Sequence, residues 1–374
     1  LKLNNYYTNM KFTTKNKNLK KAISNLVRIT GKNVTLPVLE SILFIGSGKS
    51  LKLRATNINI GSEVEIIGTL EKEGVLAVPG GIISEFISSI DLDEEIVLEE
   101  INGNLSVSTK HHKATIKAIP HEDFPTIPIV EGFSFSIPVS VYLEGIKTVI
   151  NSAATTEIRP EISSVYMYSD DNGLVFVATD SFRLSEKRIK VKVQNEINGI
   201  IIPFRNILDI SRILTDYEGN ITITWNENQL SYSIENIYLT TRIINGSYPD
   251  YKQIIPKNST TDAVFLLKDL EQSIKISNIF SDKFNQITFD INPKNKTCFL
   301  VSKNSDLGEQ KTEIDCAMKG EEINISINYR YLSDVLTIVN SDSVEFMFNG
   351  NNKPIIIKGI TDNTFLYLIM PMIR

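Results

Sequence analysis

At 374 residues the chain is longer than one hydrophobic core normally supports, so two or three domains are expected. Its 42% hydrophobic and 22% charged content excludes a disordered or fibrous protein, and no apolar run approaches the ~18 residues of a membrane span. A net charge of -5 excludes a generally basic nucleic-acid binder but leaves room for a local basic stripe.

In chain order, the opening LKLNNYYTNMKFTTKNKN lacks the apolar core and small-residue cleavage site of a secretory signal, which points to a cytoplasmic protein. Met10 begins a strand pattern, and residues 1–9 read as an extension ahead of the fold. A helix is expected over 17–29 and a strand over 41–45. Then comes LKLRATNINIGSEVEI at 51–66, and this segment recurs. LVFVATDSFRLSEKRI at 174–189 and TCFLVSKNSDLGEQKT at 297–312 match it. Ala55, Ala178 and Val301 stand at intervals of 123, as do Glu63, Glu186 and Glu309.

A second block follows each copy: VPGGIISEFISSI (78–90), IPFRNILDISRIL (202–214) and INYRYLSDVLTIV (327–339). Its apolar spacing predicts a helix with Pro79 and Pro203 in the first turn and aligned acids at Glu85, Asp209 and Asp334. Each unit closes on an apolar–proline pair: Phe124 and Pro125, Tyr248 and Pro249, Met370 and Pro371. Earlier helices are expected near 140–154 and 267–281. Asn102, Gly103 and Asn104 mark a hairpin between alternating runs. The chain therefore reads as α+β, three repeated domains at 10–130, 131–257 and 258–374, each with two helices on antiparallel strands.

Reactive groups are sparse. Cys298 and Cys316 lack zinc-site or disulfide spacing and read as buried thiols. His111 and His112 read as neighbours in an exposed strand, facing opposite ways and unable to share a metal. No phosphate-binding loop, metalloprotease or nucleophile-elbow motif occurs, and no metal or cofactor is implied. One cluster at the end of an apolar run, Asp180, Arg183 and Glu186, fits a nucleotide-acting enzyme; a repeat scaffold without a nucleic-acid role is a further alternative. Against the enzyme, Glu186 has counterparts in the other repeats, as a scaffold residue would.

Cations are more regular. Lys21 and Arg28, Arg205 and Arg212, and Lys268 and Lys275 are each seven residues apart, so each pair shares a helical face. Lys17, Lys20, Lys32, Lys147, Lys283 and Arg330 add to the set. Arg205 and Arg330 precede Asp209 and Asp334 by four, a spacing that predicts partial neutralisation. Basic helix faces in an acidic chain suit loose, sequence-independent contact with a phosphate backbone.

The segments MKFT (10–13), TLPVLESIL (35–43), ATDSFRLS (178–185), YPDYKQIIPKN (248–258) and YLIMPM (367–372), in this order on a threefold repeat, resemble the bacterial sliding-clamp family, the beta subunits of DNA polymerase III. The resemblance implies a head-to-tail homodimer whose six domains form a ring around double-stranded DNA. Helices would line the hole, with Lys21, Arg28, Lys32, Lys147, Arg205, Arg212, Lys268 and Lys275 facing DNA. It implies no catalysis. The clamp would tether the replicative polymerase, and a clamp loader and other replication and repair proteins would dock through short peptide motifs.

The family's peptide pocket, between its second and third domains, carries over onto Ile162, Thr179, Ser181, Phe182, Arg183 and Leu184. Pro249, Gln253 and Ile254 follow, then Asn328, Tyr331, Leu368, Met370, Pro371 and Met372. Leu, Ile, Met and Pro would supply an adaptable apolar surface. Three features depart from the family's pattern: Ser181 and Phe182 replace Gly and His, Gln253 replaces a basic residue, and the chain ends Ile373, Arg374. Asn33 stands at a loop position often basic in the family, next to Lys32.

Overall fold

The computed structural model describes residues 9–31, 36–193 and 195–372. Lys32, Asn33, Ile373 and Arg374, singled out above, lie outside the described residues. Two compact units emerge, Leu1–Ser140 with Leu208–Ile243, and Val141–Ile207 with Ile244–Arg374. Each takes in strands from two sequence repeats.

The first unit holds two antiparallel sheets. Five strands run in the order Thr69–Lys72, Lys11–Lys15, Glu95–Ile101, Asn104–Ser108, Lys113–Ile116. Asn102 and Gly103, at φ 52° and 72°, make the two-residue turn between the third and fourth of these, as the sequence predicts. The eight-stranded sheet runs from Phe133–Pro138 through Asn220–Trp225, Gln229–Ile234 and Ile237–Arg242 to Ile60–Ile66, Ser50–Thr56, Ser41–Ser47 and Gly74–Pro79. Its central joint pairs Ile237–Arg242 of the second repeat with Ile60–Ile66 of the first, Ile237 opposite Val64 and Thr241 opposite Ile60.

Helix α1 (Asn16–Ile29) buries Leu19, Ala22, Ile23, Leu26 and Ile29, the 3–4 spacing of one apolar stripe. Asn16 Nδ2 donates to the carbonyls of Ile87 and Ile90, tying α1 to the end of α2 (Gly80–Ser88). Pro79 is the N-cap of α2 and the last residue of a strand, one place ahead of the expected first turn. Pro203 likewise ends the strand Ile200–Pro203 before α4 (Phe204–Leu214).

The second unit repeats the scheme. Nine antiparallel strands run Ile200–Pro203, Ser164–Asp170, Gly173–Thr179, Arg183–Ile189, Phe365–Ile369, Ile355–Gly359, Ser343–Phe348, Thr261–Leu266, Cys316–Gly320. Here Arg183–Ile189 of the second repeat pairs with Phe365–Ile369 of the third, Lys187 opposite Phe365 and Arg183 opposite Ile369. In both joints the first residue of the donor strand faces the fifth of the acceptor strand; the acceptors stand 123 positions apart and the donors 128. The four-stranded sheet orders Gly308–Glu313, Thr297–Asn304, Gln286–Asn292, Ile323–Asn328. Beneath it Phe265, Phe289 and Phe346 pack at centroid distances of 5.1–5.9 Å.

Helices α3 (Val139–Val149), α5 (Leu267–Ile279) and α6 (Tyr329–Leu336) complete the set. Gly145 of α3 is required by contact: a Cβ there would lie 2.3 Å from the Phe176 ring. The expected helix over 140–154 finishes as a 3-10 turn at Ile150–Ser152. His111 and His112 are not in a strand. Both backbone N–H groups donate to Thr109 Oγ1, which closes a turn between Asn104–Ser108 and Lys113–Ile116. Cys298 is buried and Cys316 half-buried, both free thiols.

Candidate partner-binding site

The apolar strand Gly173–Thr179 stops where Thr179 and Asp180 fold the backbone over. Thr179 Oγ1 donates to the Arg183 carbonyl at 2.6 Å, and Asp180 Oδ1 accepts from the N–H groups of Phe182 and Arg183, both at 2.9 Å. Ser181 is thereby held at φ 75°. The turn projects Phe182 outward, 61% exposed, while Leu184 behind it is fully buried.

Arg183 is the centre of charge. Its Nε donates to Asp180 Oδ2 at 3.0 Å, its Nη1 donates to Asp334 Oδ2 of α6, and its guanidinium lies 4.5 Å from the Tyr331 ring centroid. Burial acts against its charge, but Tyr367, Asp334 and Asp180 outweigh that and raise its pKa. Arg183 and Glu186 lie three apart on one strand and so point to opposite faces. Glu186 accepts from Tyr251 Oη at 2.5 Å and from Arg188 Nε at 2.9 Å, and the Tyr168 and Tyr251 hydroxyls are 2.8 Å apart. Asp180, Arg183 and Glu186 therefore do not converge on one point. Each is engaged in holding the fold, which removes the geometric basis for a catalytic cluster.

Around the turn, Leu184, Leu368 and Met370 pack with Tyr168, Tyr248, Tyr251 and Ile255. Met370 N donates to the Phe182 carbonyl at 2.8 Å, and Met372 N to the Ser326 carbonyl at 2.8 Å, which ties this segment to the turn and to the strand Ile323–Asn328. Pro371 between them is buried. Gln253 Nε2 donates to Asp250 Oδ2 at 2.7 Å, beside exposed Pro249 and Ile254. Asn328 is committed to capping α6, its Oδ1 accepting from Arg330 N. Ile162 is half-buried in the turn before Ser164–Asp170, its carbonyl accepting from Ala154.

Sequence reasoning missed the supporting residues Tyr168, Tyr251, Tyr248 and Tyr367. The aromatic–proline pair at Tyr248 was the one visible signal. It also misassigned a partner: Asp334 pairs with Arg183 across the sheet joint.

The basic helix residues Lys21, Arg28, Lys147, Arg205, Arg212, Lys268 and Lys275 are all exposed. Lys21 Nζ lies 3.9 Å over the Tyr217 ring, whose own pKa burial pushes up to about 12. Arg205 meets Glu157 at 3.2 Å and Arg212 meets Asp209 at 3.4 Å, so Asp209 neutralises Arg212 three residues away and not Arg205. Burial raises the Asp209 pKa, against the pull of Arg212 and Arg28. An exposed pair such as Arg205 with Glu157 contributes little to stability and leaves the cation free to meet another anion.

Three family models match in order: the N-terminal, central and C-terminal domains of the DNA polymerase III beta subunit, over residues 10–128, 136–250 and 252–373. The chain belongs to the DNA polymerase III beta subunit family. Beta sliding clamps of Streptococcus pneumoniae (29% identical over 372 residues, 96% of this chain and 98% of theirs) and Synechococcus elongatus (24% over 378 residues, 97% and 99%) are similar along their whole length. The crystal structure of a Thermotoga maritima beta subunit matches with a TM-score of 0.92 at 25% identity, covering 98% of this chain and all of that one. The family's role is that of a DNA sliding clamp, a non-catalytic processivity subunit of the polymerase holoenzyme. No helix among the described residues is long and apolar enough to cross a membrane.

Proposed function

We propose that two copies of this chain join head to tail and encircle duplex DNA. The observation that carries this is the repeated strand joint. Ile60–Ile66 takes Ile237–Arg242 as its neighbour, and Arg183–Ile189 takes Phe365–Ile369 in the same register. By repeat spacing, the third acceptor strand is Gly308–Glu313 and the first donor strand is Lys113–Ile116. Among the described residues, both end their sheets with no strand beyond.

A second copy supplies each edge with the neighbour that the internal joints have. The donor edge carries Lys110, Lys113 and Lys117, and the acceptor edge carries Asp306, Glu309 and Glu313 with one cation, Lys311, among them, while Glu309 also meets Lys303 at 2.8 Å, so the two edges are of opposite net charge. Exposed Leu307 directly precedes the acceptor strand and exposed Ile279 ends α5, which packs against that strand, so both supply apolar area for the joint. Head-to-tail contacts of this kind close into a ring when the rotation allows.

Three domains, 10–130, 131–257 and 258–374, thus become six around the DNA. The exposed basic residues of α1, α3, α4 and α5 face the phosphates, with Lys32 added. The surface around Phe182, Ile254, Met370 and Met372, with the other carried-over residues, receives peptide motifs of the replicative polymerase, the clamp loader and repair proteins in the cytoplasm. Sedimentation tests the ring: the expected mass is about twice the 42.0 kDa of the chain, with retention on circular DNA lost when the DNA is linearised. A monomer at micromolar concentration overturns it.

A further inference from the structure

We propose that the junction of the first and second repeats carries a second peptide-binding cleft, distinct from the one around Phe182, selective for an aliphatic residue followed by a carboxylate. The inference takes as its template the reading of the 179–183 turn as the wall of a partner site. The same turn is built 123 residues earlier. Thr56 Oγ1 donates to the Ile60 carbonyl at 2.8 Å, and Asn57 Oδ1 accepts from the N–H groups of Asn59 (3.0 Å) and Ile60 (2.8 Å). Ile58 stands at φ 78° where Ser181 stands at 75°.

A left-handed β-branched residue is costly, and here it holds Ile58 42% exposed over an open cleft of about 280 Å³. Ile127 and Pro128 form the facing wall. Gly61 lets Ile127 lie against the sheet, since a Cβ would sit 3.1 Å from its side chain. The segment is fixed at its far end, where Tyr238 Oη donates to the Pro128 carbonyl at 3.0 Å and accepts from Val130 N at 2.8 Å.

The charge of the lining decides the ligand. Around Phe182, Arg183 is consumed by Asp180 and Asp334. At the equivalent point here stands Ile60, and among the described residues lining the cleft Arg242 alone is charged. Its side chain is exposed at the rim, while its backbone N–H donates to the Asn59 carbonyl at 2.9 Å and so anchors it to the turn. A lining that holds Arg242 together with Ile58, Ile127 and Pro125 and contains no carboxylate is complementary to an extended peptide that presents an aliphatic side chain and then an acid. The Gln229 and Asn59 side chains add neutral polar partners for its backbone.

Methyl-resolved NMR of the full chain, labelled at Ile and Met, reads both sites at once. The probe is a doubly capped pentapeptide with two leucines and one aspartate, compared with the same peptide carrying asparagine. The expected result is saturable movement of the Ile58 and Ile127 methyls, with affinity about ten-fold lower for the asparagine peptide and in Arg242→Ala. Arg242→Gln, which keeps much of the side-chain length, is expected to lose as much. Still Ile58 and Ile127 resonances at millimolar peptide overturn the proposal, as does movement indifferent to Arg242 or to the aspartate. Movement confined to Met370 and Met372 supports the partner site and overturns this one; movement confined to Ile58 and Ile127 does the reverse.

Discussion

Arg183, on the turn that ends an apolar strand of the second repeat, donates to Asp334 of α6 in the third, 151 positions later. A second carboxylate, Asp180, holds the same guanidinium from its own turn, and the Tyr331 ring lies against it. The charge is thus part of the joint between repeats.

Removing it leaves Asp180 and the partly exposed Asp334 without their shared cation. Arg183→Met is expected to destabilise the protein by about 2 kcal/mol or more in urea unfolding. Asp334→Asn should cost less, because Asp334 is 41% exposed. A double-mutant cycle between the two should return a coupling of about 1 kcal/mol. Additive effects would show that the pair contributes nothing.

The proposed joint between copies brings lysines of one edge to carboxylates of the other. Lys113→Glu with Lys117→Glu is expected to yield monomers in sedimentation velocity, and Glu309→Lys with Glu313→Lys likewise. Mixing the two reversed chains should restore a species of about twice the chain mass. Chains that stay monomeric on mixing would overturn the pairing of these two edges.

Phosphate contact predicts a salt signature. Each cation withdrawn from a phosphate lowers the slope of log affinity against log salt by ~0.9, so Lys268→Ala with Lys275→Ala should flatten it by about 1.8. Peptide binding around Phe182 should be unaffected. An unchanged slope would remove α5 from the DNA-facing set.

Acid sensitivity follows from Glu63. Burial raises its pKa, but hydrogen bonds from Lys52 and Arg54 outweigh this, and the net result lies below the ordinary 4.5. A depressed folded-state pKa gives stability that is present above the unfolded value and lost as pH falls through the folded one. The urea midpoint should therefore drop below about pH 4.5, and Glu63→Gln should flatten that part of the profile. A parallel profile in the variant would assign the acid loss to other carboxylates such as Asp170 and Asp362, which are also depressed.

Much of the fold was legible because it is local. The stripe Leu19, Ala22, Ile23, Leu26 places α1, and Asn102 with Gly103 places a hairpin, each from a few adjacent residues. What was not legible is long-range. No spacing announces that Arg183 reaches Asp334, or that Tyr251 turns inward to Glu186, because such pairings depend on which strands become neighbours. His111 and His112 show the converse error: an alternating pattern suggested a strand, and one threonine hydroxyl bent the backbone into a turn. The repeat alignment contained the second left-handed corner at Ile58, but only its φ angle made the equivalence with Ser181 visible.

The matching registers of the two internal joints have a kinetic consequence. A joint inside the chain, such as Ile60–Ile66 with Ile237–Arg242, reforms against a tethered neighbour at an effective concentration of order millimolar. A joint of the same kind between two copies has no tether and reforms only at the rate its free partner arrives. Identical hydrogen-bonded seams would then differ in lifetime by their covalent surroundings alone. A ring built from them opens at the joints between copies, not at those within a chain.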